Sequence, residues 1–182
     1  MYCLGIQEIL NRITRMNTEK TRILGVDPGL NITGYGVLDV ATSGQSELIE
    51  AGVIRSKASE SMCDRLAALH AGMTDVLVSL NPDVVAMEEL YSHYERPKTA
   101  ILMGHARGVL CLAAGQQGKC VFNYAATQIK KILTGNGRAP KAQVQMAVSR
   151  HLVLNEVPEP PDVADALAIA ICHQYLSNRI TV

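Results

Sequence analysis

Hydrophobic positions fall in short runs up to Arg55 and, for most of the chain beyond it, at helical spacing. Ile23 to Asp27, Thr33 to Val40 and Glu47 to Arg55 read as three strands. The links between them are short and rich in turn formers, so antiparallel neighbours are expected. Met62, Leu66, Leu69, Met73, Val76, Leu77 and Leu80 repeat at three and four, one face of an amphipathic helix that Asn81 and Pro82 end. Asp83 to Met87 is a short apolar strand. Coming after a helix, it is expected to lie parallel to the first strand through a right-handed crossover. Thr99 to Gln116 reads as a helix and Lys119 to Tyr124 as a fifth strand. Three helices follow: Ala126 to Leu133, one carrying Val144, Val148 and Leu152 on a stripe, and Asp162 to Ser177 behind a proline-rich stretch. This order predicts an α/β domain, a mixed sheet of three antiparallel strands and then parallel ones, flanked by helices.

With 182 residues, 48% of them hydrophobic, the chain suits one core, filled mostly by aliphatic side chains since it has one Phe and no Trp. Residues 21–178 are read as one domain. Residues 1–20 have a weak helical pattern (Leu4, Ile6, Ile9, Leu10, Ile13) with no evident place in that core, as an added arm would, or a start upstream of Met16. The apolar runs fall short of the ~20 residues that cross a bilayer, and the first twenty residues lack the apolar core of a secretory signal. A cytoplasmic protein is expected. Five cysteines without a CxxC pair fit reduced, mostly buried thiols.

The formal net charge of zero conceals a strong asymmetry. Between Arg96 and Asn155 there is no Asp or Glu, but there are nine basic residues: Arg96, Lys98, Arg107, Lys119, Lys130, Lys131, Arg138, Lys141 and Arg150. That segment suits a polyanion, and the rest of the chain, which holds every acid, suits cations.

Asp27 ends the first strand and is followed at once by Pro28 and Gly29, with Asn31 and Gly34 read as continuing the reversal. A turn cap would also explain an acid there. Glu88 and Glu89 end the strand beginning at Asp83, and strand alternation does not say which faces the cleft. Asp162 and Asp165, three apart, are placed in the first turn of the last helix, where Pro161 and the helix dipole favour ionised acids. Behind them Ala164, Leu167, Ala168, Ile171 and Tyr175 form a face to seat that helix on the sheet. Small residues at 164, 166, 168 and 170 allow close approach. Like charges sharing one pocket need cations, and oxygen-only ligands select Mg²⁺ or Mn²⁺. Two such ions promote phosphodiester cleavage. A metal-dependent nuclease with a basic nucleic-acid surface is the reading from residues alone.

GVDPG with the following TGYGV, AMEELY, HARGV and DVADALAIA together resemble the RuvC family of bacterial Holliday junction resolvases, in the family's order from Thr21 to Ser177. The resemblance implies a ribonuclease H-like fold, a homodimer, and paired cuts across a four-way DNA junction that leave 5′-phosphate and 3′-hydroxyl ends. It implies catalytic and metal-binding roles for Asp27, Glu88 (rather than Glu89), Asp162 and Asp165, with two Mg²⁺ ions or Mn²⁺ in their place. Lys130 and Lys141 match its basic positions, and Tyr91 matches an aromatic commonly Phe, which could stack on an unpaired base. Lys131 and Arg138 join the DNA-binding set from charge alone. The RuvA–RuvB branch-migration complex is the implied partner.

Two rivals belong to other classes. An actin-like ATPase or sugar kinase also has an Asp–Gly loop after a strand, but needs two related domains and a second phosphate loop. A junction-binding module without catalysis would tolerate loss of acids, and all four are present. Gly104 and Gly108, one turn apart, permit close backbone contact with a neighbour, the sheet or a second subunit, and packing inside the domain is the expected use; no histidine is assigned to catalysis.

Overall fold

The computed structural model describes residues 20–90 and 97–177, so the expectations for the arm before Lys20, for Tyr91, His93 and the loop to Arg96, and for Cys3 lie outside the described residues. Strands β1 (Lys20–Asp27), β2 (Ile32–Ala41) and β3 (Ser46–Arg55) form an antiparallel meander. Helix α1 (Met62–Leu80) crosses over to β4 (Val84–Glu88), which lies parallel to β1 with Ile23 opposite Val84 and Val26 opposite Met87. Helix α2 (Pro97–Gln116) leads to β5 (Cys120–Tyr124), parallel to β4. Then come α3 (Ala126–Thr134), α4 (Lys141–His151) and α5 (Pro161–Ser177). The strand order is β3-β2-β1-β4-β5. The mixed sheet and the parallel pairing of β4 with β1 are as the hydrophobic pattern predicts.

Strand alternation divides the core in two. Ile23, Leu38 and Ala86 face a layer built by α5 over the sheet and α3 and α4 over α5. Leu24, Val26, Val37, Val85 and Met87 face α1 and α2 on the other side. Helix α5 therefore has neighbours on nearly all sides, and residues 163 to 174 are buried except Asp165. Its small residues explain how it fits. A Cβ at Gly25 would lie 2.1 Å from the Ala166 carbonyl oxygen, and one at Gly34 2.0 Å from that of Asp162.

Four expectations need correction. The first strand begins at Lys20 rather than Ile23, because its polar residues pair as well as its apolar ones: Lys20 bridges Glu47 at 2.8 Å and Arg22 bridges Asp39 at 2.6 Å. Tyr175 is 44% exposed and meets His151 instead of the sheet. Gly104 and Gly108 have nothing within 4 Å of a built Cβ, so they open onto a shallow groove beside Ile101 and Leu112 rather than packing inside the domain. Cys63 and Cys120 are exposed, and of the four described free thiols only Cys172 is buried.

Candidate active site

Three pieces of backbone meet at one end of the sheet. Asp27 is the last residue of β1 and pairs with Gly34 across the meander. Gly34 is thus a strand residue and not part of the reversal; lacking a side chain, it lets the first turn of α5, with Asp162, cross directly over it. Parallel pairing sets Glu88, the last residue of β4, beside Asp27, roughly one strand spacing of ~4.8 Å away. Alternation from Ala86, which faces α5, turns Glu88 to the same side and Glu89 away.

The turn after Asp27 is built to hold its shape. The Thr33 hydroxyl, fully buried, donates to the Gly29 carbonyl at 2.7 Å and accepts from the Gly29 N–H at 3.2 Å. The Ser56 hydroxyl donates to the Leu30 carbonyl at 2.5 Å, while Arg65 of α1 donates to Ser56 Oγ and to Asn31 Oδ1. A Cβ at Gly29 would fall 1.9 Å from the Ile32 carbonyl oxygen, so glycine is needed for tightness here.

The acids feel one another strongly. Burial first, then the charges of Glu88, Asp165 and Asp162, push the Asp27 carboxyl from 3.8 up to about 7, with Lys141 pulling the other way. Glu88 is raised too, by burial and then by Asp165, against the pull of Lys130 and Lys141. Lys141, the first residue of α4, bridges Asp165 at 2.5 Å. Burial opposes its charge, but Asp165, Asp162 and Asp27 together raise its pKa. Asp165 stands just beyond the first turn of α5, because the helix starts at Pro161 and leaves only Asp162 in that turn.

Among the described residues no three His, Cys, Asp or Glu side chains are already gathered around a metal-sized point. Carboxylates from two strand ends and one helix, with Asp27 raised by burial and then by its acidic neighbours, make an oxygen-only donor set that fits a hard divalent ion.

The acid-free segment does not form one surface. Lys130 and Lys141 reach the acids, but Lys119 bonds Asn81 at the other end of the sheet, Arg150 lies in the last turn of α4, and Arg107 sits behind β4. Lys131 and Arg138 are exposed on α3 and on the loop after it. The described histidines have local partners: His70 with Gln116, His105 with the Ile101 carbonyl, His151 with Ser46 and His173 with Tyr124. Sequence reading gave no role to Arg65 and Arg107, whose partners are distant in sequence, or to Thr33, which closes onto Gly29 four residues before it; TGYGV and HARGV contained Thr33 and Arg107 without saying what they hold.

A five-stranded mixed sheet, antiparallel on one side and parallel on the other, with carboxylates at the ends of its two central strands and on a helix crossing them, defines a ribonuclease H-like fold. The family model described as "Crossover junction endodeoxyribonuclease RuvC" matches residues 23–173. A crossover junction endodeoxyribonuclease RuvC of Rhodopirellula baltica is 54% identical over 157 residues, covering 86% of this chain and 88% of that protein. The structure of Thermus thermophilus RuvC superposes with a TM-score of 0.81 at 34% identity, over 88% of this chain and 98% of that one. T. thermophilus RuvC in complex with Holliday junction substrate gives 0.79 at 30% identity, over 87% and 96%. The chain belongs to the RuvC family of crossover junction endodeoxyribonucleases.

Proposed function

We propose that this chain resolves four-way DNA junctions by paired nicks that depend on divalent cations held by Asp27, Glu88, Asp162 and Asp165. The observation that carries the reading is the convergence of these carboxylates at one end of the sheet, where burial first and then the neighbouring acids raise Asp27 to about 7. When bound, two Mg²⁺ ions, or Mn²⁺ in their place, would activate water and stabilise the leaving oxygen of the scissile phosphate. Asp27 and Glu88 come from strand ends, which hold them rigidly, and Asp162 and Asp165 from α5. Lys141 bridges Asp165 through Oδ2 and would neutralise part of the charge of the cluster. Lys130 and Lys141, whose charges act on Glu88, are assigned to the DNA phosphates near the acids, and the exposed Lys131 and Arg138 to phosphates farther along. Tyr91 follows Glu88 by three residues and is assigned to stacking on an unpaired base at the junction.

One acidic cluster per chain and two cuts per junction call for a homodimer. The open face of α2 supports it: Ile101 is 60% and Leu112 54% exposed beside Gly104 and Gly108. We infer further that residues 21–178 form the catalytic domain behind an added arm and that the RuvA–RuvB complex is its partner. We also infer work in the cytoplasm; among the described residues no helix is long and apolar enough to cross a membrane.

A synthetic mobile junction tests the proposal. Symmetric nicks with ligatable ends in Mg²⁺ or Mn²⁺, none with chelator, and a dimer by light scattering are expected. Cutting that persists in chelator would remove the metal from the account.

A further inference from the structure

HARGV, residues 105–109, is one of the motifs behind the family resemblance, yet its arginine has no part in the site described above. Arg107 lies on α2, across the sheet from Asp27 and Asp162. Its Nε donates to the backbone carbonyl of Glu88 at 3.3 Å and its Nη2 to Asn123 Oδ1. Four residues on, Cys111 meets Met87 at 3.8 Å between sulfurs, so one ridge of α2 runs along the end of β4.

The end of β4 needs such a support. Its last pair with β1 is Val26 opposite Met87, so Glu88 extends one residue beyond that ladder. On the other side it pairs with Tyr124, and the next N–H, that of Glu89, donates to the Tyr124 carbonyl at 2.9 Å. Asn123 precedes Tyr124. The guanidinium therefore ties the ends of β4 and β5 together from behind, while the Glu88 carboxylate projects to the opposite face.

We propose that Arg107 is a positioning residue that fixes Glu88 for cation binding, acting through the Glu88 carbonyl without touching ion or DNA. This rests on the metal reading above. The lever is geometry rather than charge, because the cations that act on the Glu88 carboxylate are Lys130 and Lys141. A planar fork holds two acceptors in fixed directions, which a lysine ammonium does not. Mg²⁺ demands near-ideal ligand geometry, and loss of a group that orients a ligand typically weakens metal binding by about 10–100-fold.

The test is Mn²⁺ binding to the intact protein without DNA, followed by electron paramagnetic resonance, with melting temperatures measured in parallel. Arg107→Met and Arg107→Lys are both expected to bind Mn²⁺ about tenfold more weakly than the unaltered protein. Asn123→Ala, which frees one arm of the fork, should shift binding in the same direction and serves if Arg107→Met does not fold. Arg22→Met is the control: it breaks the Asp39 bridge and the bond to the Leu80 carbonyl, far from the acids, and should lower the melting temperature without changing Mn²⁺ affinity. Unchanged affinity in the Arg107 variants, alongside weakened binding in Glu88→Gln, overturns the inference and leaves the metal reading intact. Full affinity in Arg107→Lys alone reduces the role to charge and also overturns it, as does equal weakening in Arg22→Met. Full Mn²⁺ affinity in Glu88→Gln overturns the metal reading itself, and the inference with it.

Discussion

Replacing Asp27 by Asn should abolish cutting and yet make the metal-free protein more stable. The native carboxyl titrates near 7 rather than 3.8. The native state therefore holds a proton that the unfolded chain has released, and stability falls as pH climbs through that window and levels off above it. At ~1.4 kcal/mol per pH unit the ceiling is ~4 kcal/mol. Partial access of water to the cleft reduces it to about half, ~2 kcal/mol, by the screening that weakens exposed charges. Asn mimics the neutral acid at every pH. In chelator at pH 8, Asp27→Asn should melt ~4–8 °C higher, given about 2–4 °C per kcal/mol for a domain of this size. The gain should shrink to nothing near pH 4, where the wild-type carboxyl is also protonated. Thermal melts by circular dichroism across that range are the assay. Equal melting temperatures at pH 8, or an undiminished gain at pH 4, would refute the argument that burial and the neighbouring acids hold the Asp27 carboxyl above its ordinary range in the folded state.

Lys141→Ala should weaken junction binding and lower its salt dependence by about one in the log–log slope, measured by fluorescence anisotropy over a range of NaCl. Gly34→Ala places a methyl against the Asp162 carbonyl and should cost about 3 kcal/mol in urea denaturation, at the upper end for overpacking, with loss of cutting as α5 is displaced. Tyr124→Phe leaves His173, 5% exposed, without its 2.6 Å partner and should cost ~1–3 kcal/mol while cutting is retained. Arg22→Met removes the partner that holds Asp39 below the usual carboxylate range. The stability lost is that present above the ordinary pKa of Asp39, so the two proteins should converge as pH falls through its lowered native value.

The strands and most helices were legible because each buries a regular set of apolar residues: Met62 to Leu80 at helical spacing, Ile23 to Val26 as a continuous run. Lys20 and Arg22 were not, since their place in β1 depends on partners in β2 and β3 that no local pattern reveals. The four carboxylates stood out by their position at the ends of elements. Glu88 could be separated from Glu89 only by family resemblance; in the structure Glu88, not Glu89, shares the face to which Ala86 points. The basic residues misled most. A run of sixty residues without an acid looks like one surface, yet folding sends Lys119 and Arg150 to the far end and Arg107 behind the sheet. Gly104 and Gly108 misled in the opposite sense, because closely spaced small residues on a helix do not say whether a neighbour is present in the same chain.

The most direct measurement is cleavage of a synthetic mobile four-way junction in Mg²⁺ by the intact protein, Asp27→Asn and Asp162→Asn, with junction binding measured for all three. Symmetric nicks from the intact protein alone, with binding kept in both variants, are expected if the carboxylates cut and the basic flank holds. Nicks of undiminished rate from either variant would contradict the assignment of the site.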